Sequence, residues 1–395
     1  MKPPRHILIL GGDADGNLGD RAILWATCAE LRALGDAQVT AVLRDGDDFV
    51  RHFGTRVVRR GWRGLLGLVA AARRSDLVFC GGGGLFQDDD SLVKMPYWAV
   101  RLLLMRTLGR RVLGYSIGAG PLDATSSRWA ARLAFACMTR VSVRDEPARA
   151  IAAPLSRTPV EVVPDPALLI PPASDAAALQ ALRDHGVDPA AGPIIGAAPR
   201  RYFPAQRRVL PHFVTARLRG RRDWGRTAAA SRPLIELWAA ALDAAIDRTG
   251  ARVLMLPTYC KQHEADALIA DEVRAAMRHP TPPPLRITDP ALYRAVAGKL
   301  ALMVGGRMHA TILAAAAGTP VVGVAYNQKF QGFFGLIGRP QDVIDVSHLL
   351  HDRRAEPFAD LIVRTLQDPP DYGDAIAELT QRTRWFLRES LEQAA

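Results

Sequence analysis

The sequence predicts an α/β protein of two domains, each a parallel sheet covered by helices, with both sheets facing one cleft. Three observations carry this expectation. At 395 residues the chain exceeds one ordinary domain. Short apolar runs alternate with longer helix-like segments along almost its whole length, the pattern of parallel strands joined by helical crossovers. The alternation breaks once, at Leu169 to Leu179 (LIPPASDAAAL), and restarts at Pro193 (PIIGAAPR), so a linker separates two similar halves.

In the first domain, taken as residues 1–172, strands are expected near 6–11, 38–44, 76–80, 111–117, 140–143 and 160–163. The runs at His6 to Leu10 and Leu77 to Cys80 are almost continuously apolar, as buried parallel strands should be. Helices are expected near 20–34, 62–73, 96–108, 126–138 and 145–152. The second domain, residues 190–370, restarts with the Pro193 strand and continues with strands near 252–257, 285–287, 300–304 and 320–324. Its helices are expected near 232–248, 264–278, 290–297, 308–317 and 355–368. The tail 373–395 reads as a last helix, with Ile376, Leu379, Trp385, Phe386 and Leu391 at helical spacing, crossing back onto the first domain. Two Rossmann-like domains with such a returning helix make a glycosyltransferase-B-like arrangement. Ligands of these sheets sit beyond the carboxyl ends of the strands, which directs attention to the strand-end loops.

The composition is that of a globular protein, 49% hydrophobic and 23% charged. No run approaches the roughly 18 apolar residues of a membrane span. The opening MKPPRHILILGGD lacks the apolar core and cleavage site of a signal peptide and reads as a first buried strand. Four scattered cysteines (Cys28, Cys80, Cys137, Cys260) argue against disulfides and structural zinc and fit a reducing cytoplasm. The net charge of +11 is concentrated: residues 200–232 hold ten arginines against one acid, Asp223, and so carry +9 of it. That segment can be a solvated loop, a lid that brings arginines to the cleft, or a contact for an anionic membrane, a pyrophosphate or a nucleic acid. Because the charge is confined to one segment, with no recognised nucleic-acid fold, no nucleic-acid partner is expected.

Four loops carry chemistry. In LMVGGRMHATILAAAAGTPVVGVAYNQK, Leu302 to Lys329, a strand meets Gly306, Arg307, Met308 and His309 where a helix begins. A helix start offers unpaired N–H groups and a positive dipole end, Arg a planar fork for carboxylate or phosphate, and His a proton carrier near neutral pH. The loop GGDADGNLGD after the first strand places Asp13, Asp15, Asn17 and Asp20 at another helix start; its acids suit sugar hydroxyls better than a pyrophosphate, and a divalent cation is a weaker alternative. CGGGGLFQD contributes Gly83, Gly84 and Asp88, either as a nest of N–H groups with room for a ligand or as a tight turn. SVRDEPA places Arg144 at a strand end, as an anion anchor or as one half of a buried pair with Asp145.

In order along the chain, the GNLGD start, GGGGLFQD, GYSIGAGP, RDEPA, PDPALL and GGRMH…AGTPVVGVAY resemble the polysaccharide pyruvyltransferase family, over about residues 7–340. The resemblance implies phosphoenolpyruvate as donor and transfer of its pyruvyl unit to a sugar as a cyclic ketal, with no cofactor and no metal. It implies donor and catalytic duties for Arg144, Arg307 and His309, with Gly306 and Met308 beside them. Asp13, Asn17, Asp20, Gly83, Gly84 and Asp88 are then the acceptor-side candidates. Two departures stand out. Where the family often has Asp-Pro-Lys, this chain has Tyr326-Asn327-Gln328-Lys329, and its arginine-rich segment is long. In the expected chemistry the arginines hold the donor's carboxylate and phosphate, and protonated His309 gives its proton to the methylene carbon. The expected acceptor is a sugar, polysaccharide or lipid-linked glycan, met in the cytoplasm or at the inner membrane face through 200–232. The rival enzyme reading is a sugar-nucleotide glycosyltransferase of the same fold; the rival of another class is a basic nucleic-acid-binding protein.

Overall fold

Two all-parallel sheets organise the chain. The computed structural model describes residues 6–12, 14–44, 46–89, 91–201, 222–259 and 266–394. The first sheet contains β1 (His6–Leu10), β2 (Gln38–Leu43), β3 (Arg56–Arg59), β4 (Leu77–Gly81), β5 (Arg111–Ile117), β6 (Arg140–Val143) and β7 (Val160–Val162), in the order β3-β2-β1-β4-β5-β6-β7. The second contains β8 (Ile194–Ala198), β9 (Arg252–Met255), β10 (Leu302–Gly305), β11 (Val321–Ala325) and β12 (Val343–Asp345), in the order β12-β11-β10-β8-β9. Every residue of β4, β8, β10 and β11 is buried, which explains their unbroken apolar sequences.

Strand parity divides the first sheet's packing. Leu8 and Leu10 join the core under the helices Leu65–Arg74, Lys94–Thr107 and Thr125–Ala136. Ile7 and Ile9 face the other way, into a core that includes the helix Leu18–Leu34 and continues into the second half through Met308, Leu313 and Phe330. The C-terminal helix Gly373–Ala394 does return to the first sheet. Phe386 stacks on Tyr115 with centroids 5.8 Å apart, Arg140 on β6 binds Glu389 at 2.5 Å, and Arg384 donates to Glu30 at 3.0 Å. Trp385 departs from the expected apolar stripe: it is 53% exposed, and Phe386 and Leu387 are the residues buried there.

Several elements differ from the sequence reading. β3 is an additional edge strand, three of its four residues exposed; RVVR offers no apolar run because an edge needs none. Residues 285–287 form no strand. The prolines before them cannot donate, and only the Leu285 amide reaches Met255 O of β9, at 2.9 Å. The second half of the linker is the helix Asp175–Asp184, capped by the Ser174 hydroxyl at the Ala177 amide. The helices Asp47–Phe53, Lys329–Leu336 and Val346–Asp352, and the short β12, were also not expected. Among the described residues no helix is long and apolar enough to cross a membrane.

Both sheets reverse direction once. In the first, β1 and β4 are neighbours and their chains depart to opposite sides; in the second the same is true of β8 and β10. A reversal leaves a crevice at the carboxyl ends of the strands. The crevices are bounded by Gly11–Gly12 and Gly81–Gly84 on one side, and by Arg200 and Gly306–Arg307 on the other.

Candidate active site

The two halves meet at these crevices. The Leu18 amide, at the start of the Leu18–Leu34 helix, donates to Thr258 O at 3.0 Å, and Asn17 forms an isolated bridge with Tyr259. This pins the loop after β1 to the loop after β9. Gly19 belongs to the same contact. A methyl group there would stand 2.0 Å from His309 Nδ1, so the absent side chain is what lets the second half's histidine enter the first half.

His309 lies at the start of the helix Met308–Ala316, directly after β10. Its Nε2 is 3.4 Å from Oδ2 of Asp165, a residue that follows β7 in the first half and caps the turn Pro166–Leu169 through the Ala167 amide. The same Oδ2 is 4.0 Å from Arg144 Nη1. Arg144 and Asp165 are each 4% exposed. Burial pushes the Asp165 carboxyl up, but the charges of His309 and Arg144 and the Ala167 amide outweigh it, and the net displacement is downward. His309 Nε2 and Asp165 Oδ2 are buried, and neither makes a directed hydrogen bond; 3.4 Å is an ion-pair contact.

Arg144 is held on its other side by Asp145, Nε to Oδ2 at 3.1 Å, while Asp145 Oδ1 caps the helix Glu146–Ala152. The buried Arg–Asp pair raised by the sequence is therefore present. The Arg144 guanidinium lies 3.1 Å from where a methyl group on Gly118 would stand, and Gly118 packs on Gly83 and Gly84. Gly83 has φ of +86°, a conformation an L side chain resists, and a methyl group there would also meet Asp20 Oδ1 at 2.5 Å. The Asp20 carboxylate thus stands between the loops after β1 and β4.

Lys329 completes the cluster. It begins the helix Lys329–Leu336 and is half-buried as a residue, with its amine bonded to Gln87 Oε1 and only 2.9 Å from where a Gly84 methyl would lie. Desolvation of the amine and, next, the nearby Arg144 guanidinium bring its pKa down from 10.5 to about 7, with Arg200 acting in the same direction. Arg200, at the end of β8, lies over the Tyr326 ring at 3.7 Å. Beside Lys329 opens a cavity of about 570 Å³, bounded by Pro121, Leu122 and Ile151 of the first half and Asn327 of the second.

Other expected site residues have different positions. Arg307 makes a bidentate pair with Asp266, with contacts of 2.7–3.1 Å, and lies 5.3 Å from the Tyr259 ring. The Gly306 amide is spent on Ala198 O at 2.9 Å, joining β10 to β8. Met308 packs in the core, 6% exposed. Asn17 caps its helix at the Gly19 amide. The Asp15 carboxylate receives the Arg44 amide. The acceptor role expected of Asp88 is not supported: it is fully buried and takes up the amides of Asp123 and Ala124, so it shapes a loop. Asp13 and residues 202–221 lie outside the described residues. Sequence reasoning passed over Asp165 and Lys329 as site residues, although both stand in quoted motifs, PDPALL and YNQK. Among the described residues no group of three or more His, Cys, Asp or Glu side chains could hold a metal ion.

Two parallel sheets meeting at a shared cleft, with a returning C-terminal helix, define a glycosyltransferase-B-like protein. Solved structures agree on the fold. A UDP-GlcNAc 2-epimerase from Methanocaldococcus jannaschii superposes with TM-score 0.59 at 10% identity, covering 98% of this chain and 99% of that one. A putative UDP-N-acetylglucosamine 2-epimerase from Listeria monocytogenes gives 0.57 at 14% identity, with 98% and 96% covered. A glycosyltransferase from Rickettsia africae gives 0.55 at 8% identity, with 98% of each covered. At such identities the likeness concerns architecture alone. The polysaccharide pyruvyl transferase family profile matches residues 17–328, and the chain belongs to that family. The match takes in Arg144, Asp165, Arg307 and His309 and stops one residue short of Lys329.

Proposed function

We propose that the protein transfers the pyruvyl group of phosphoenolpyruvate to two hydroxyls of a sugar as a cyclic ketal, releasing phosphate. The observation that carries this reading is the crowding of cations at the cleft. Burial and then the Arg144 guanidinium, from the opposite half, disfavour the charged form of the Lys329 amine. A small ligand with a carboxylate and a phosphate on one frame relieves that repulsion. The start of the Met308–Ala316 helix adds a favourable dipole end.

In this scheme Arg144 and Lys329 hold the donor's anionic groups, and His309 gives its proton to the methylene carbon, which becomes the methyl group. The resulting electron-poor carbon accepts one sugar hydroxyl, whose proton returns to His309. The second hydroxyl displaces phosphate, which leaves with the remaining proton, and the carboxylate stays on the ketal. Asp165, 3.4 Å from Nε2, positions the His309 imidazole. Arg307, already countered by Asp266, braces the Tyr259 lip of the cleft. Asp20, between two glycine loops, is the acceptor-side carboxylate of this scheme, with Gly83 and Gly84 leaving room for the sugar.

The test is phosphate release from phosphoenolpyruvate in the presence of candidate glycan acceptors, with mass spectrometry of the acceptor. The reading requires a gain matching one pyruvyl ketal. Transfer of a sugar from a sugar nucleotide, with no phosphate release from phosphoenolpyruvate, rejects it in favour of a glycosyltransferase.

A further inference from the structure

We propose that the outer face of the helices Lys94–Thr107 and Thr125–Ala136 docks the protein on an anionic lipid bilayer. The two helices pack side by side on one face of the first sheet. Their inner stripes, with Trp98, Leu102, Ala131 and Phe135, are buried in the core and account for the fold. Their outer stripes have no such duty. Val93, Tyr97, Val100 and Leu103 on the first helix or at its cap, and Trp129 and Leu133 on the second, are all exposed, Val100 by 64% and Trp129 by 65%. The spacings are helical, Val93–Tyr97–Val100 and Trp129–Leu133, so each set forms one stripe, and large apolar side chains gathered on one surface mark a contact site.

The charges on the same helices identify the partner. From Ser91 to Leu122 the sequence holds no Asp or Glu, and the Thr125–Ala136 helix has none either. The exposed cations on the two helices are Arg106, Arg128 and Arg132, and Arg101 is half-buried. Arg101 lies over the Tyr97 ring at 4.4 Å and Arg132 over Trp129 at 5.4 Å, so each helix pairs a cation with an exposed amphipathic ring. Aromatic and basic residues interleaved with aliphatic ones suit the headgroup region of a bilayer, where rings and aliphatic side chains enter the interface and guanidinium groups meet anionic lipids. A second protein surface of ordinary mixed charge would leave these cations unmatched. This surface is distinct from the arginine-rich segment 200–232.

The geometry gives the docking a consequence. Arg128, near the start of the Thr125–Ala136 helix, forms part of the wall of the cavity beside Lys329. A lipid-carried acceptor lying along this face can therefore present its sugar to the cleft. That consequence rests on the pyruvyl-transfer reading, whereas the docking does not and is tested without substrate.

The experiment is co-sedimentation of the full-length protein with vesicles of phosphatidylglycerol and phosphatidylcholine, against pure phosphatidylcholine vesicles, across a salt series. Binding is expected to need the anionic lipid and to fall steeply with salt. The variant Val100→Ser/Trp129→Ser/Leu133→Ser and, separately, Arg101→Gln/Arg132→Gln should each lower partitioning at least tenfold while keeping the wild-type circular dichroism and melting profile. Brominated lipids should quench the fluorescence of the wild type more than that of Trp129→Phe. Wild-type partitioning in either folded variant overturns the proposal, as does loss of binding only when residues 205–228 are replaced by a Gly-Ser linker. So does a concentration-dependent dimer in sedimentation that the serine variant abolishes with no effect on vesicles, since the face is then a contact between copies.

Discussion

The imidazole of His309, carried by the second sheet, reaches within 3.4 Å of Asp165, the carboxylate that follows the last strand of the first. Arg144 approaches the same carboxylate oxygen at 4.0 Å. The guanidinium and the imidazole therefore cannot be farther apart than these two contacts laid end to end, and the domains need not close further to unite them. One anion positions two cationic groups that the sequence separates by more than a hundred residues.

If His309 moves the proton, His309→Ala should lower turnover about 100-fold or more and leave phosphoenolpyruvate affinity within a few-fold of wild type. Asp165→Asn should lower turnover in the same direction. The double variant should be little worse than His309→Ala alone, because the two residues act as one unit. Steady-state kinetics on all three proteins checks this, and additive losses contradict it.

Arg144 and Arg307 should separate. Arg144→Ala is expected to weaken donor binding by roughly 2–3 kcal/mol, the loss of a charged hydrogen-bond partner, besides the stability lost with its buried pair to Asp145. Arg307→Ala removes the bidentate partner of Asp266, which is 2% exposed and keeps the Thr258 hydroxyl, and is expected to destabilise the fold by about 3–5 kcal/mol with donor affinity nearly unchanged. Calorimetric titration with phosphoenolpyruvate and urea unfolding distinguish the two; equal losses of affinity would return Arg307 to the donor pocket.

Lys329 provides a pH signature. Its pKa falls from 10.5 to about 7 on folding. Between these values the unfolded chain binds more protons than the folded one, so this residue makes stability rise with pH across that window. Below about 7 its full destabilising effect is present, and above 10.5 none remains. Lys329→Met should thus melt higher than wild type at pH 6 to 7, by about a few degrees, with the gap closing as the pH rises. Donor affinity of the wild type should fall above neutrality, softened because the bound anion favours the charged amine, and the variant should lose that dependence.

Two glycines test close approach. Gly19→Ala places a methyl group against the His309 imidazole, and Gly84→Ala places one against the Lys329 amine and Gln87. At Gly84 the obstructed atoms are the ends of flexible side chains, whereas at Gly19 the methyl meets the base of the His309 ring. Gly84→Ala is expected to fold, with Tm within about 5 °C of wild type, and to lose most activity, whereas Gly19→Ala is expected to lose both activity and stability. Full activity in Gly84→Ala would show that the Lys329 amine does not need its present position.

The sequence by itself determined the elements that local chemistry governs. Continuous apolar runs such as Leu302 to Gly305 read as buried parallel strands, and the glycine loops and Arg144, Arg307 and His309 read as strand-end positions. The edge strand β3 and the short β12 were not legible, because a charged edge and a three-residue strand have no periodicity to read. The site was half legible. Which side chains meet across the two halves is a question of distance, and only the tertiary structure decided it: Arg307 pairs with Asp266, while Lys329 is brought over Gly84. Asp88 looked like an available acid until the fold supplied it with two backbone amides. Asp165 looked like part of a proline turn until His309 arrived from the other sheet. Strand and helix patterns are set by neighbours in the chain, whereas the partner of a buried charge is set by whichever group the folded backbone brings within a few ångströms, and that choice leaves no local trace.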